Sequence, residues 1–191
     1  DYPDLSGDLA ATLDRAEAAG VGRVVTISTH VARFETYRAL AESDPRVFFT
    51  VGTHPHNAGE EPDVPAERIV DLSRHPRCIA VGEAGLDYHY DRSPRDVQRR
   101  VFRTHIAAAR ETGLPLVIHA READEDMIAI LSEAMEAGRF SAVLHCFSSG
   151  PRLAEVGVAL GLYVSFSGIV TFKRSTELRD IAARVPRERL L

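Results

Sequence analysis

Four apolar runs in this chain end in imidazole or carboxylate groups. VGTHPH leaves His54 and His56, CIAVGEAGLDYHY leaves Glu83 and Asp87, LPLVIHAR leaves His119 and Arg121, and SAVLHCFSSG leaves His145 and Ser148. A fifth, YVSFSGIVTFKR, leaves Ser165, Ser167 and Lys173. Neutral imidazole and carboxylate converging from separate segments are the donors that Zn²⁺ accepts, with Mg²⁺ or Mn²⁺ open where oxygen ligands are added. The spacing is long, and no local H-E-x-x-H signature occurs. Taken singly, a histidine at a strand end is more often a hydrogen-bonded structural residue than a ligand. Glu83, His119 and His145 together weigh the other way, because three buried polar heads on one rim are costly unless paired or bound to metal.

The elements that must carry these residues alternate regularly. Strand-like runs cover 23–29, 47–53, 78–83, 114–120, 141–147 and 162–168, and their apolar content is nearly continuous, as in parallel strands covered on both faces. Between them lie amphipathic segments, such as Leu5, Leu9, Leu13 and Ala16, then Met127, Ile130, Leu131 and Ala134, then Leu178, Ile181, Ala182 and Val185. Pro94 and Pro151 mark helix starts, and Gly20, Gly113, Gly138 and Gly161 mark ends. Residues 187–191 read as the beginning of a further strand. Strict alternation implies a parallel sheet. A doubly wound sheet would show a Gly-rich phosphate loop after its first strand, and none is present. We therefore expect an α/β fold, a (β/α)8 TIM-type barrel represented by about six of its eight strands, as one domain over residues 1–191.

In such a barrel the chemistry sits at the C-terminal ends of the strands. Alternation puts Val117 with His119, and Val143 with His145, on one face, with Cys146 pointing the other way. His75 precedes a strand and His105 lies on a helix over 97–110, so both read as structural or solvated. His30 and His89 fall on loops at the active rim, with no role assigned.

Lys and Arg number 23 against 28 Asp and Glu, a net charge of −5, which removes the global positive field of a sequence-specific DNA binder. Contacts to an anionic substrate must be local, and Arg121, Lys173 and Arg174 are the candidates. No apolar run approaches the ~20 residues of a membrane span, so no membrane association is expected. Cys78 and Cys146 lie in strand-like runs, not in a disulfide framework, which points to reduced thiols and the cytoplasm. No obligate protein partner is evident.

The motifs GTHPH, GEAGLDYHY, PLVIHAR, HCFSSG and SGIVTFK, in this order, resemble those of the TatD family of metal-dependent deoxyribonucleases, within the amidohydrolase-like barrels. The resemblance runs along the whole chain. It implies cleavage of phosphodiester bonds in DNA by a centre of two divalent metal ions, Zn, Mg or Mn. It implies that Glu83 bridges the ions, that His119 and His145 bind the second, and that His54 and His56 face the substrate phosphate, with Arg121 and Lys173 beside it. The family's H-x-H pair would precede Asp1 and its catalytic Asp would follow Leu191, so the chain is expected to be a terminally trimmed part of a complete enzyme. Two other readings remain open: another amidohydrolase-type metal hydrolase, or a non-catalytic metal-binding scaffold lacking those flanking ligands.

Overall fold

The computed structural model describes residues 8–191. Leu5 of the first amphipathic pattern and the DYPDL segment lie outside them. The elements in chain order are α1 (Leu9–Ala18), β1 (Val24–Thr26), α2 (Phe34–Ser43), β2 (Val47–Val51), α3 (Ala66–Ser73), β3 (Cys78–Asp87) and α4 (Arg95–Thr112). There follow β4 (Leu116–Arg121), α5 (Asp124–Ala137), β5 (Ala142–Leu144), α6 (Pro151–Ala159), β6 (Tyr163–Val164) and α7 (Thr176–Arg184). All six strands are parallel and ordered as in the sequence, a curled sheet that forms the greater part of a (β/α)8 barrel.

Helices cover one face of the sheet. Phe49, Leu86, Leu116, Ile118 and Leu144 are buried there with Phe102 and Met127, and each such side chain contributes roughly 1.5–3 kcal/mol on leaving water. The other face aligns Val25 with Phe48, then Val117, Val143 and Tyr163. Val25 and Tyr163 stay 40% and 39% exposed. Helix ends follow the punctuation of the sequence. Gly113 closes α4 in the left-handed region at φ 72°, and Gly150 with Pro151 opens α6.

Beyond β1 and β6, which are shorter than the runs expected over 23–29 and 162–168, three boundaries differ from the sequence reading. β3 runs on through Asp87, because Gly85 lets it approach β4: a Cβ there would stand 1.9 Å from the His119 carbonyl oxygen. β5 stops at Leu144, and Cys146, expected inside a strand, sits exposed in a left-handed turn at φ 45°. The ladder resumes past this turn, where Phe147 N donates to Ser165 O at 2.8 Å. Residues 187–191 begin with a short 3-10 turn, and only then does Leu190 bridge to Val164 in parallel. Leu191 N donates to Val164 O at 3.0 Å, as expected of a strand beside β6.

Candidate metal centre

Register explains how β3 and β4 present their chemistry. Gly85 lies beside His119 and Asp87 beside Arg121, so alternation puts Glu83, Asp87, His119 and Arg121 on the same face. Leu86 and Ile118, on the opposite face, anchor both strands under the helices. His54 and His56 arrive from the turn after β2. That turn is pinned by His54 N donating to Thr29 O at 3.0 Å and by the buried Pro55 between the two rings.

Asp87 is the fixed point. Its side chain is fully buried, and Oδ2 accepts from Nε2 of both His56 (2.8 Å) and His119 (2.9 Å), while Oδ1 accepts from the backbone N–H of Tyr90 at 2.8 Å. Gln98 clamps the same residue by accepting from Asp87 N at 2.8 Å and donating to Asp87 O at 3.1 Å. Burial favours the neutral acid, but these donors outweigh it and hold the Asp87 carboxyl below the usual range. With Nε2 of His119 committed to Asp87, Nδ1 is turned toward Glu83 Oε1 at 3.3 Å and His54 Nε2 at 3.2 Å.

That second cluster cannot be satisfied by protons alone. Burial raises the Glu83 carboxyl, yet His119 and the imidazoles around it pull it below its ordinary value, so Glu83 is ionised. Burial, with His119 nearby, pushes His54 down to about 4, so His54 is neutral and carries one proton. Suppose that His54 Nδ1 accepts from His56 N, 3.2 Å away; its proton is then on Nε2 and donates to a bare His119 Nδ1, which confronts the anionic Glu83 oxygen. Suppose instead that His119 donates Nδ1–H to Glu83; His54 Nε2 must then be bare, and its Nδ1–H confronts the His56 N–H. Either way one contact sets like against like. Burial lowers His119, but Glu83 and Asp87 more than compensate and raise it, so positive charge is favoured between the two carboxylates.

A divalent cation fits that demand. Two ligand bonds of about 2.0–2.2 Å meeting at a roughly tetrahedral angle span about 3.4 Å, close to the observed Glu83–His119 separation. His54, Glu83 and His119 form one group whose donor atoms all lie within 4.8 Å, and His56, Asp87 and His119 form another. The second group is already satisfied by two N–H donors on Asp87.

Sequence-predicted residues divide accordingly. Glu83, His119, His54 and His56 come together. His145 borders the same cavity of about 640 Å³ as His54, His56 and Glu83, but belongs to neither three-residue group, and its Nε2 lies 3.3 Å from Cys146 Sγ. Arg121 stands at the rim with its guanidinium 4.8 Å from the Tyr90 ring centre. Lys173 is exposed before α7 with no hydrogen bond or ion pair among the described residues. The sequence reading placed Asp87 at the strand edge but gave it no role; alternation counted from Glu83 would have put it on the same face. His105, as expected, is structural: Nδ1 donates to Val101 O at 2.8 Å and Nε2 accepts from Thr53 N at 2.9 Å.

A family model described as TatD related DNase matches residues 1–191. The chain belongs to the TatD family. It is 35% identical over 184 residues to an uncharacterized metal-dependent hydrolase, YabD, of Bacillus subtilis, covering 96% of this chain and 72% of that protein. It is 33% identical over 178 residues to a 3'-5' ssDNA/RNA exonuclease, TatD, of Escherichia fergusonii, covering 93% and 68%. Among solved structures it superposes on YJJV, a TatD homolog from Escherichia coli K12, with a TM-score of 0.90 and 31% identity over 100% of this chain and 74% of that one. Its coarse activity follows as that of a TatD-family metal-dependent hydrolase. Among the described residues, no helix is long and apolar enough to cross a membrane.

Proposed function

We propose that this TatD-family chain hydrolyses phosphodiester bonds in DNA with divalent metal ions, Zn, Mg or Mn, two per complete protein. The observation that carries this is the Glu83–His119–His54 cluster, whose contacts no single arrangement of protons satisfies together and which a cation between Glu83 and His119 would satisfy. Glu83 and His119 would hold one ion, with His145 the next donor on the cavity wall. Glu83 Oε2 accepts no hydrogen bond among the described residues, so Glu83 would be able to hold a second ion through it as the bridging ligand. The metals would supply an ionised water and neutralise charge on the phosphoryl oxygens.

The protein's own groups do the remaining work. Where His54 Nδ1 accepts from His56 N, its single proton sits on Nε2, and with His119 Nδ1 given over to an ion that N–H would be left to donate to an anionic oxygen. This favours His54 as a phosphate contact over a third metal ligand. His56, oriented through Asp87, stands behind it. Arg121 and Lys173 supply the local positive charge that a chain of net charge −5 needs near a phosphate backbone. Relatives named ssDNA/RNA exonuclease support nucleic acid as the substrate. The cytoplasmic placement rests on Cys78 and Cys146, which are both free thiols. The proposal includes no membrane and no obligate protein partner.

The test is a metal-stimulated cleavage assay on labelled single-stranded DNA after chelation and re-addition of each metal. We expect activity to return with metal in the wild type and to be lost in Glu83→Gln by about three orders of magnitude, the scale on which electrostatic stabilisation at a reacting centre is felt. Near wild-type cleavage by Glu83→Gln would remove Glu83 from the mechanism.

A further inference from the structure

Tyr90 differs from the aromatic residues of the core. Tyr37, Phe49, Phe102 and Phe147 are buried in the core, whereas Tyr90 is 49% exposed, three residues after Asp87. Its position is nonetheless fixed. Its backbone N–H donates to Asp87 Oδ1, the carboxylate that also holds His56 and His119. Its ring meets His56 edge-on at 5.2 Å between centres and His89 edge-on at 4.7 Å. Two guanidiniums flank it, Arg121 at 4.8 Å and Arg92 at 5.5 Å.

A rigid, half-exposed ring beside cations is what a single nucleic-acid strand requires: a π-surface for a base and mobile positive charge for the phosphate attached to it. Phe172 is more exposed, at 63%, and precedes Lys173 and Arg174, but among the described residues no aromatic or cation–π contact ties its ring to the histidine and carboxylate cluster. Tyr90 is tied to it twice, through Asp87 and through His56. Resting on the nucleic-acid reading above, we infer that Tyr90 is the stacking platform for a nucleobase of a single-stranded substrate, adjacent to the bond cleaved. Arg121 and Arg92 swing from the ring to the flanking phosphates when the base arrives. Such stacking is tolerant of base identity, because every base offers a π-face. The subsite therefore binds strands without reading their sequence.

The experiment is equilibrium binding, by fluorescence anisotropy, of a single-stranded oligodeoxynucleotide and of an oligomer of the same length built wholly of abasic sites. EDTA prevents cleavage during the measurement. We expect the wild type to prefer the base-bearing strand, and Tyr90→Ala to weaken binding of that strand on the order of tenfold to a hundredfold while leaving the abasic strand unchanged. Tyr90→Phe and Tyr90→Trp should retain wild-type affinity, which separates lost stacking from a damaged loop. Equal wild-type affinity for the two strands, an equal loss on both in Tyr90→Ala, or failure of Tyr90→Trp to rescue would each overturn the inference. The hydrolysis reading is scored separately, by cleavage of the same base-bearing strand when Mn²⁺ is supplied, so either idea can fail alone.

Discussion

His54 and His105 make an instructive pair. Burial is the main force on both, and it pushes each imidazole down to about 4. They meet the same stretch of chain, since the backbone N–H of Thr53, next to His54, donates to His105 Nε2. In the seam between α4 and the turn after β2, His105 has both ring nitrogens closed off by backbone groups. At the strand rim, His54 has one nitrogen closed by His56 N and the other aimed at His119. His105 is fully buried and His54 half-buried, yet both are pushed to the same value, so what separates the two regions is unspent donor and acceptor capacity. A perturbed pKa alone would have nominated both residues; only the rim leaves a conflict for a ligand to resolve.

The largest expected effect that could break this contrast is thermal stabilisation by metal. Zn²⁺ at 100 times its dissociation constant should stabilise the folded protein by about 2.7 kcal/mol, seen as a rise in Tm. The rise should vanish in His119→Ala and persist in His105→Gln. If both variants respond to Zn²⁺ alike, the rim is not where the ion binds and the contrast between the two regions fails.

Next in size is Asp87→Asn. The amide keeps the shape of the carboxylate but cannot accept from both His56 and His119 with full negative charge. Replacing a partner that orients a metal-binding imidazole typically weakens metal affinity by roughly 10- to 100-fold. Competition of the variant against a chromophoric chelator reads this directly. An unchanged affinity would reduce Asp87 to a packing residue and leave the orientation of His119 unexplained.

The barrel, its strand order and the pairing of Glu83 with His119 were legible because each depends on periodicity: apolar runs end in polar heads, and alternation fixes the face. Asp87 was harder to read because GEAGLD interrupts the apolar pattern, so the strand looks finished at Glu83. The glycines that break the pattern are what permit β3 to continue, since Gly85 lies against the His119 carbonyl where no side chain fits. Cys146 was misread for the converse reason. HCF looks like the end of a strand, but Cys146 takes a left-handed conformation that exposes its side chain, and residue type alone did not signal that. Tyr90 was invisible as a candidate because its own loop, with Asp87 and Arg92, gains its meaning only from two distant segments that bring His56 and Arg121 to the ring.

The smallest effect sharpens the contrast from the structural side. Native His105 binds its proton only near pH 4, whereas in the unfolded chain an ordinary histidine binds it near 6.5. At pH 7 neither state is much protonated, so the residue imposes no cost. As the pH falls below 6.5 the unfolded chain takes up a proton that the native site refuses, and stability drains away until about pH 4, where the loss saturates. Between pH 7 and pH 5 this amounts to on the order of 1–2 kcal/mol. In His105→Gln the amide oxygen can still accept from Thr53 N, yet nothing at that position titrates. The variant should lose less stability than the wild type over that interval, by about the same 1–2 kcal/mol, in urea unfolding followed at both pH values. His54 is left intact in this variant, so its own similar contribution cancels in the comparison, as do the carboxylates of the rim. Identical pH slopes for the two proteins would mean that the seam around His105 admits a proton after all, and the two histidines would then no longer be buried to the same effect.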